Sequence, residues 1–167
     1  MPELFLLRHA KSAWGDPSLR DVERPLEPRG HAAAKAMGGY LEDMDARIDQ
    51  LWVSPATRVA ETVEGLRETC LGLPEPHVVP SLYGASAETL LMLARQARGE
   101  RVMLVAHNPG MHDCAMMLTQ GDKGAARDRL AKKFPTAALA RIDIEGDWPM
   151  IAPGRGRLVA FTKPRDL

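Results

Sequence analysis

The sequence predicts an α/β fold: a three-layer α/β/α domain with a mainly parallel sheet, helices on both faces, and antiparallel pairing at one edge near the C-terminus. Three observations predict it. Strand-like and helix-like segments alternate along the chain, as in strands joined by helical crossovers. The runs Leu4-Phe5-Leu6-Leu7 and Arg101–Ala106 (RVMLVA) are apolar without polar alternation, which suits strands buried on both faces. Three strand-like runs end abruptly in polar residues, where open α/β sheets bind ligands.

Each element follows in order. The first strand, residues 4–7, gives way to a polar, proline-containing stretch over 14–28. A helix comes next, with Ala33, Met37, Tyr40, Leu41 and Met44 on its apolar face, although Gly38-Gly39 inside it lowers its propensity. Leu51-Trp52-Val53-Ser54 reads as the second strand. Pro55 suits the first turn of the following helix, whose Val59, Val63, Leu66 and Cys70 form one stripe. His77-Val78-Val79 is a short strand. Ser86 is placed to cap a helix over 88–97 that turns Leu90, Leu91, Leu93 and Ala94 inward. After the RVMLVA strand, Asn108-Pro109-Gly110 turns into a methionine-rich helix. Residues 138–144 and 158–162 are two further strands, joined across Trp148, Pro153 and the glycines at 154–156.

Composition excludes several classes of function. The 22 Lys and Arg residues are matched by 22 Asp and Glu, so no global field favours nucleic acid or an anionic membrane as a partner. Any anion specificity must come from a few well-placed cations. The 167 residues suffice for a single domain with a sizeable core, and no repeat or linker divides them. Cys70 and Cys114 make no disulfide framework, which fits a reducing compartment. Neither opens a C-x5-R phosphatase loop, because Pro76 and Gln120 stand six residues on; both read as small buried hydrophobes. The apolar N-terminal run is short and lacks a basic flank, so it is not a secretory signal, and no stretch reaches membrane-spanning length. The expectation is a cytoplasmic protein.

The chemistry concentrates at three strand ends: Arg8-His9, then Ser54-Pro55-Ala56-Thr57-Arg58, then His107-Asn108. If the strands are parallel neighbours, these ends share one edge. Arg58 would then lie in the first turn of its helix, where the dipole already favours an anion. Two arginines and two histidines around one point make a phosphoryl site. Arg8-His9 alone would read more readily as a structural pair; Arg58 and His107 in register reverse that. Ser12 and Asn108 could equally bind phosphate or form turns, and Tyr83 divides evenly between core packing and a site wall. His31, His77 and His112 default to surface or capping roles, and Met111, Met116 and Met117 to packing. The segment Gly154-Arg155-Gly156-Arg157 lacks the strand-to-helix context of a nucleotide loop and reads as a hairpin connection.

These motifs resemble those of the histidine phosphatase superfamily. Arg8-His9-Ala10 is similar to its RHG signature with alanine for glycine. Residues 54–62 (SPATRVAET) resemble its S-x-x-x-R-x-x-x-T segment. Val105-Ala106-His107-Asn108-Pro109-Gly110 resembles the GHNPG element of the small SixA-like phosphohistidine phosphatases. Further similarities to that subgroup are Arg24-Pro25-Leu26 with Arg29-Gly30, Leu82-Tyr83, and Phe134-Pro135-Thr136-Ala137. The resemblance runs from residue 4 to about residue 162 and implies one domain of this type over 1–167. It implies that His9 is the nucleophile that becomes phosphorylated and His107 the second catalytic histidine. It makes Arg8, Arg58 and Arg24 the phosphate-binding arginines, with no metal and no cofactor. A neutral imidazole attacks in line, guanidinium groups neutralise a loose transition state, and water hydrolyses the phosphohistidine formed.

The general acid is not selected by any motif: Asp16, Asp21, Glu61 and Glu88 all compete. A phosphohistidine substrate asks little of an acid, because imidazole leaves near its own pKa of about 6.5 while an alkoxide is a far stronger base. The favoured substrate is therefore a phosphohistidine on a protein. A phosphatase or mutase acting on small phosphomonoesters is the enzymatic alternative, and a phosphate- or phosphohistidine-binding module without turnover is the alternative of another class.

Overall fold

The computed structural model describes all of residues 1–167. Its centre is β1 (Glu3–Arg8), whose Leu4, Phe5, Leu6 and Leu7 are all fully buried. Leu4 and Leu6 point into one apolar cluster, Phe5 and Leu7 into another. Burying such side chains is worth about 2 kcal/mol each. Four together rival the net stability of a whole domain, so burial, not order along the chain, holds β1 in the middle.

The remaining elements, in chain order, are α1 (Pro28–Asp43), β2 (Gln50–Val53), α2 (Thr57–Thr69), β3 (Pro76–Val78), α3 (Ala87–Ala94), β4 (Arg101–Ala106), α4 (Gly110–Leu118), α5 (Ala125–Lys132), β5 (Leu139–Ile144) and β6 (Gly156–Thr162). The six strands form one sheet in the order β3-β2-β4-β1-β5-β6. The first four positions are parallel; β5 runs antiparallel to β1, and β6 antiparallel to β5, as expected for the C-terminal edge. Helices α1 and α2 cover the face carrying Phe5, Leu7, Met103 and Val105. Helices α3, α4 and α5 cover the other face, over Leu4, Leu6, Val102 and Leu104.

Gly38 fits the helix for a reason of packing. A Cβ there would collide with the Leu66 carbonyl and the Thr69 hydroxyl, so its absence lets α1 and α2 approach closely. That approach also rotates α1: Ala34, Met37 and Leu41 are buried, while Ala33, Tyr40 and Met44 lie at the margin of the face.

Three expectations need adjustment. Helix α2 starts at Thr57, not at Pro55, because the first helical carbonyl is that of Ala56, which accepts from the Val59 and Ala60 N–H groups. Helix α3 is capped by Ser86 as expected but ends at Ala94, three residues short. Helix α5 was not foreseen: of its eight residues only Leu130 is buried, so it leaves no amphipathic stripe to read. Both cysteines are buried and free, with burial pushing the thiol pKa of Cys70 up to about 11 and of Cys114 up to about 12. No helix is long and apolar enough to cross a membrane.

Candidate active site

Because β2, β4 and β1 are adjacent and parallel, their carboxyl ends deliver Ser54, His107 and Arg8-His9 to one edge. The His9 and His107 rings stand 5.2 Å apart, and both residues are more than nine-tenths buried. Gly110, just beyond, opens α4 where a Cβ would strike the Ala85 carbonyl.

The hydrogen bonds of the two imidazoles fix their tautomers. His9 Nδ1–H donates to the carbonyl of Ala10 at 2.7 Å, which leaves the Nε2 lone pair free. His107 Nδ1 faces the Arg58 Nη2 donor at 3.4 Å, so Nδ1 accepts and Nε2–H donates to Ser54 Oγ at 2.7 Å. Burial is the main force lowering both pKa values. It takes His9 to about 3, helped by the charges of His107, Arg58 and Arg8 and opposed by the Ala10 bond. It takes His107 to about 4, with Arg58 adding to the effect. Both rings are neutral near pH 7.

The arginines are positioned by different devices. Arg58 sits in the first turn of α2 and donates to the Asp21 carbonyl at 2.7 Å and the Asp21 carboxylate at 3.0 Å. Arg24 reaches the same carboxylate at 2.9 Å, donates to Ser12 Oγ at 2.6 Å, and stacks on the exposed Trp14 ring. Arg8 donates through Nη1 to the Phe134 carbonyl at 3.0 Å, while its Nε is buried without a partner. Two guanidinium groups thus share one carboxylate while Arg8 has none, leaving an excess of positive charge suited to a phosphoryl dianion.

The candidate acids separate clearly. Asp21 is the one that reaches the site, and there it is held as a carboxylate. The Tyr83 hydroxyl donates to it, and with Arg58 and Arg24 this pulls its pKa down to about 2. It is a counter-ion for arginines, not a proton donor near neutral pH. Asp16 is exposed and holds its own turn through Ser18 at 2.6 and 3.0 Å. Glu88 stands exposed in the first turn of α3 and bonds to no group of the site. Glu61 accepts from the Leu26 N–H at 2.7 Å, a bond between the loop before α1 and α2.

Other expectations resolve as follows. Tyr83 is a site wall, edge-on to His107 with ring centres 5.5 Å apart. Ser12 meets Arg24, whereas Asn108 ties the Phe134 carbonyl to the His112 N–H and acts as a turn residue. His112 donates to the Leu130 carbonyl at 2.7 Å, a capping role. Thr62 carries a role that residue-by-residue reading of the motif had not assigned. Its hydroxyl donates to the Arg58 carbonyl at 2.7 Å and accepts from the Ala10 N–H at 3.0 Å. The methyl of Ala10, where the signature has glycine, packs with Leu26, Ala34 and Ala137. The Phe134 carbonyl was likewise not identified, since a backbone acceptor leaves no mark on residue type.

Comparison with known proteins agrees with this fold. The profile described as histidine phosphatase superfamily (branch 1) matches residues 4–82. A Mycobacterium tuberculosis protein, Rv1276c, is 34% identical over 164 residues, covering 95% of this chain and 100% of that protein. An Agrobacterium tumefaciens chain assigned as a phosphohistidine phosphatase SixA superposes with a TM-score of 0.82 at 32% identity, over 98% of this chain and 99% of its own. The protein histidine phosphatase SixA solved with tungstate gives a TM-score of 0.75 at 25% identity, over 98% of each chain. Sequence and fold together place this chain in the histidine phosphatase superfamily, branch 1, as a SixA-like member.

Proposed function

We propose that the chain hydrolyses phosphohistidine on a protein through a covalent phospho-His9 intermediate. The reading rests on the tautomer of His9: the Ala10 carbonyl takes the Nδ1 proton, so a neutral ring offers Nε2 as nucleophile at the mouth of an arginine-lined pocket. The unpartnered Arg8 Nε supports it, as a buried donor suited to a phosphoryl oxygen.

In the first step Nε2 of His9 attacks phosphorus and the P–N bond to the substrate imidazole breaks. Protonated on its other nitrogen, that imidazole departs neutral. Arg8, Arg58 and Arg24 hold the equatorial oxygens and neutralise their charge. A dianion before Arg58 and His107 favours the protonated ring against the burial and the guanidinium charge that depress it, so Nδ1 takes a proton from solvent and becomes a donor to the phosphoryl group. Water then attacks phospho-His9, releasing phosphate and restoring the neutral ring. Charge neutralisation comes from guanidinium groups, so turnover needs no divalent ion and persists in a chelator. The setting is the cytoplasm.

The ionised Asp21 supports phosphohistidine over alkyl phosphomonoesters, because an alkoxide needs the proton that Asp21 does not carry. Incubation with ³²P-phosphohistidine followed by alkaline quench tests the proposal. The expected result is acid-labile label on His9, absent from the His9→Ala variant, and release of phosphate in steady state. Binding of phosphate without label or turnover would make the chain a binding module and overturn the proposal.

A further inference from the structure

The carboxyl edge of the sheet continues past the phosphoryl site toward β5 and β6. β5 begins there because it runs antiparallel to β1, and β6 ends there, with Thr162 opposite Leu139. Four separate segments meet at this end around a cavity of about 560 Å3. They bring Lys11, Arg29 of the first turn of α1, Arg129, Lys132 and Lys133 of the last turn of α5 and its cap, and Lys163 with Arg165 after β6.

No carboxylate lines the cavity, and none of these seven cations is in an ion pair, although elsewhere Lys35, Arg67 and Arg141 are. Asp166, beside Arg165 in sequence, is turned to the Lys163 N–H at 2.9 Å. The negative end of the α5 dipole accounts for cations at that terminus. It does not account for Lys11, Arg29, Lys163 and Arg165, which arrive from other elements. In a chain of zero net charge this is a concentrated positive field whose counter-charge is not supplied locally.

The cavity and the phosphoryl site share a wall. Pro135 and Thr136 line the cavity. On one side of them the Phe134 carbonyl accepts from Arg8; on the other the Ala137 N–H reaches the carbonyls of Arg8 and His9 at 3.0 Å. A single phosphate is satisfied by two or three donors. Seven cations on four segments, all but Lys163 exposed, instead match several separate carboxylates. We propose that this cleft docks the acidic surface of the phosphohistidine-bearing protein while its phosphoryl group enters the adjoining pocket. The proposal rests on the reading of the substrate as a phosphohistidine protein.

Two synthetic peptides test it, each with one phosphohistidine, flanked by four glutamates or by four glutamines, together with phosphoimidazole as a substrate too small to reach the cleft. The expected result is a kcat/KM about tenfold higher for the glutamate peptide at low salt, carried by KM and abolished by raised salt. The triple variant Lys132→Glu/Lys133→Glu/Arg165→Glu should erase that preference and leave phosphoimidazole turnover unchanged, which also reports correct folding. Equal turnover of the two peptides, or a preference that survives the triple variant, overturns the docking proposal. Anisotropy with the unphosphorylated peptides reads the cleft independently of chemistry. If wild type binds the glutamate peptide more tightly but cleaves no phosphohistidine, the catalytic reading fails and the acidic docking surface stands.

Discussion

The two halves of the sheet's carboxyl edge hold positive charge in opposite ways. Over β2, β4 and β1, Arg24 and Arg58 are buried and bonded to Asp21, and Arg8 is bonded to a backbone carbonyl. Over β5 and β6, Lys11, Lys132, Lys133 and Arg165 are exposed and unpaired. Buried guanidinium groups with fixed partners cannot reorganise when charge develops on phosphorus, so their contribution falls on the transition state. Exposed lysines keep their rotamers and their water, so theirs falls on encounter and orientation. Under the proposed function, one edge separates chemistry from recognition.

The sharpest way to break this contrast is to remove one cation from each half. Arg58→Ala should lower kcat/KM for phosphoimidazole by about a hundredfold to a thousandfold, and Lys132→Ala by less than about threefold. Comparable losses in steady-state assays would show that burial does not divide the two roles. A smaller effect tests the counter-ion. Asp21→Asn should cost about tenfold in kcat through misplaced arginines, by the same factor for phosphohistidine and for an alkyl phosphate. A loss much larger for the alkyl phosphate would restore Asp21 as an acid.

The smallest effect concerns stability. His9 and His107 are held at about 3 and about 4, below the ordinary value near 6.5, so between these limits the unfolded chain binds protons that the folded chain refuses. Stability is full above about pH 6.5 and falls as pH drops toward 4. The thermal midpoint should decline by several degrees from pH 7 to pH 4.5, and His107→Asn should flatten that decline. An unchanged slope in the variant would mean that other groups set it.

Much of the half that carries His9 and His107 was legible in the sequence. Leu4–Leu7 and RVMLVA could be read as doubly buried strands because nothing polar interrupts them, His9 and His107 mark their ends, and Ser54 marks the end of β2. What escaped depends on contacts across long stretches of chain. The bonds of Asp21 to Arg58 and Tyr83 span 37 and 62 residues, and no local pattern announces them. The basic cleft was hidden by dispersal: its cations come from four segments far apart in sequence, and the net charge of zero gives no hint of it.

Thr62 has a consequence for timing. Its hydroxyl clasps the Arg58 carbonyl and the Ala10 N–H, so the loop behind the nucleophile and the helix bearing the arginine form one bracket. His9, beside Ala10, and Arg58 thus have their spacing set by the fold itself. Under the proposed function, a phosphoryl group presented from outside would meet a template already set, with no closure needed on this side.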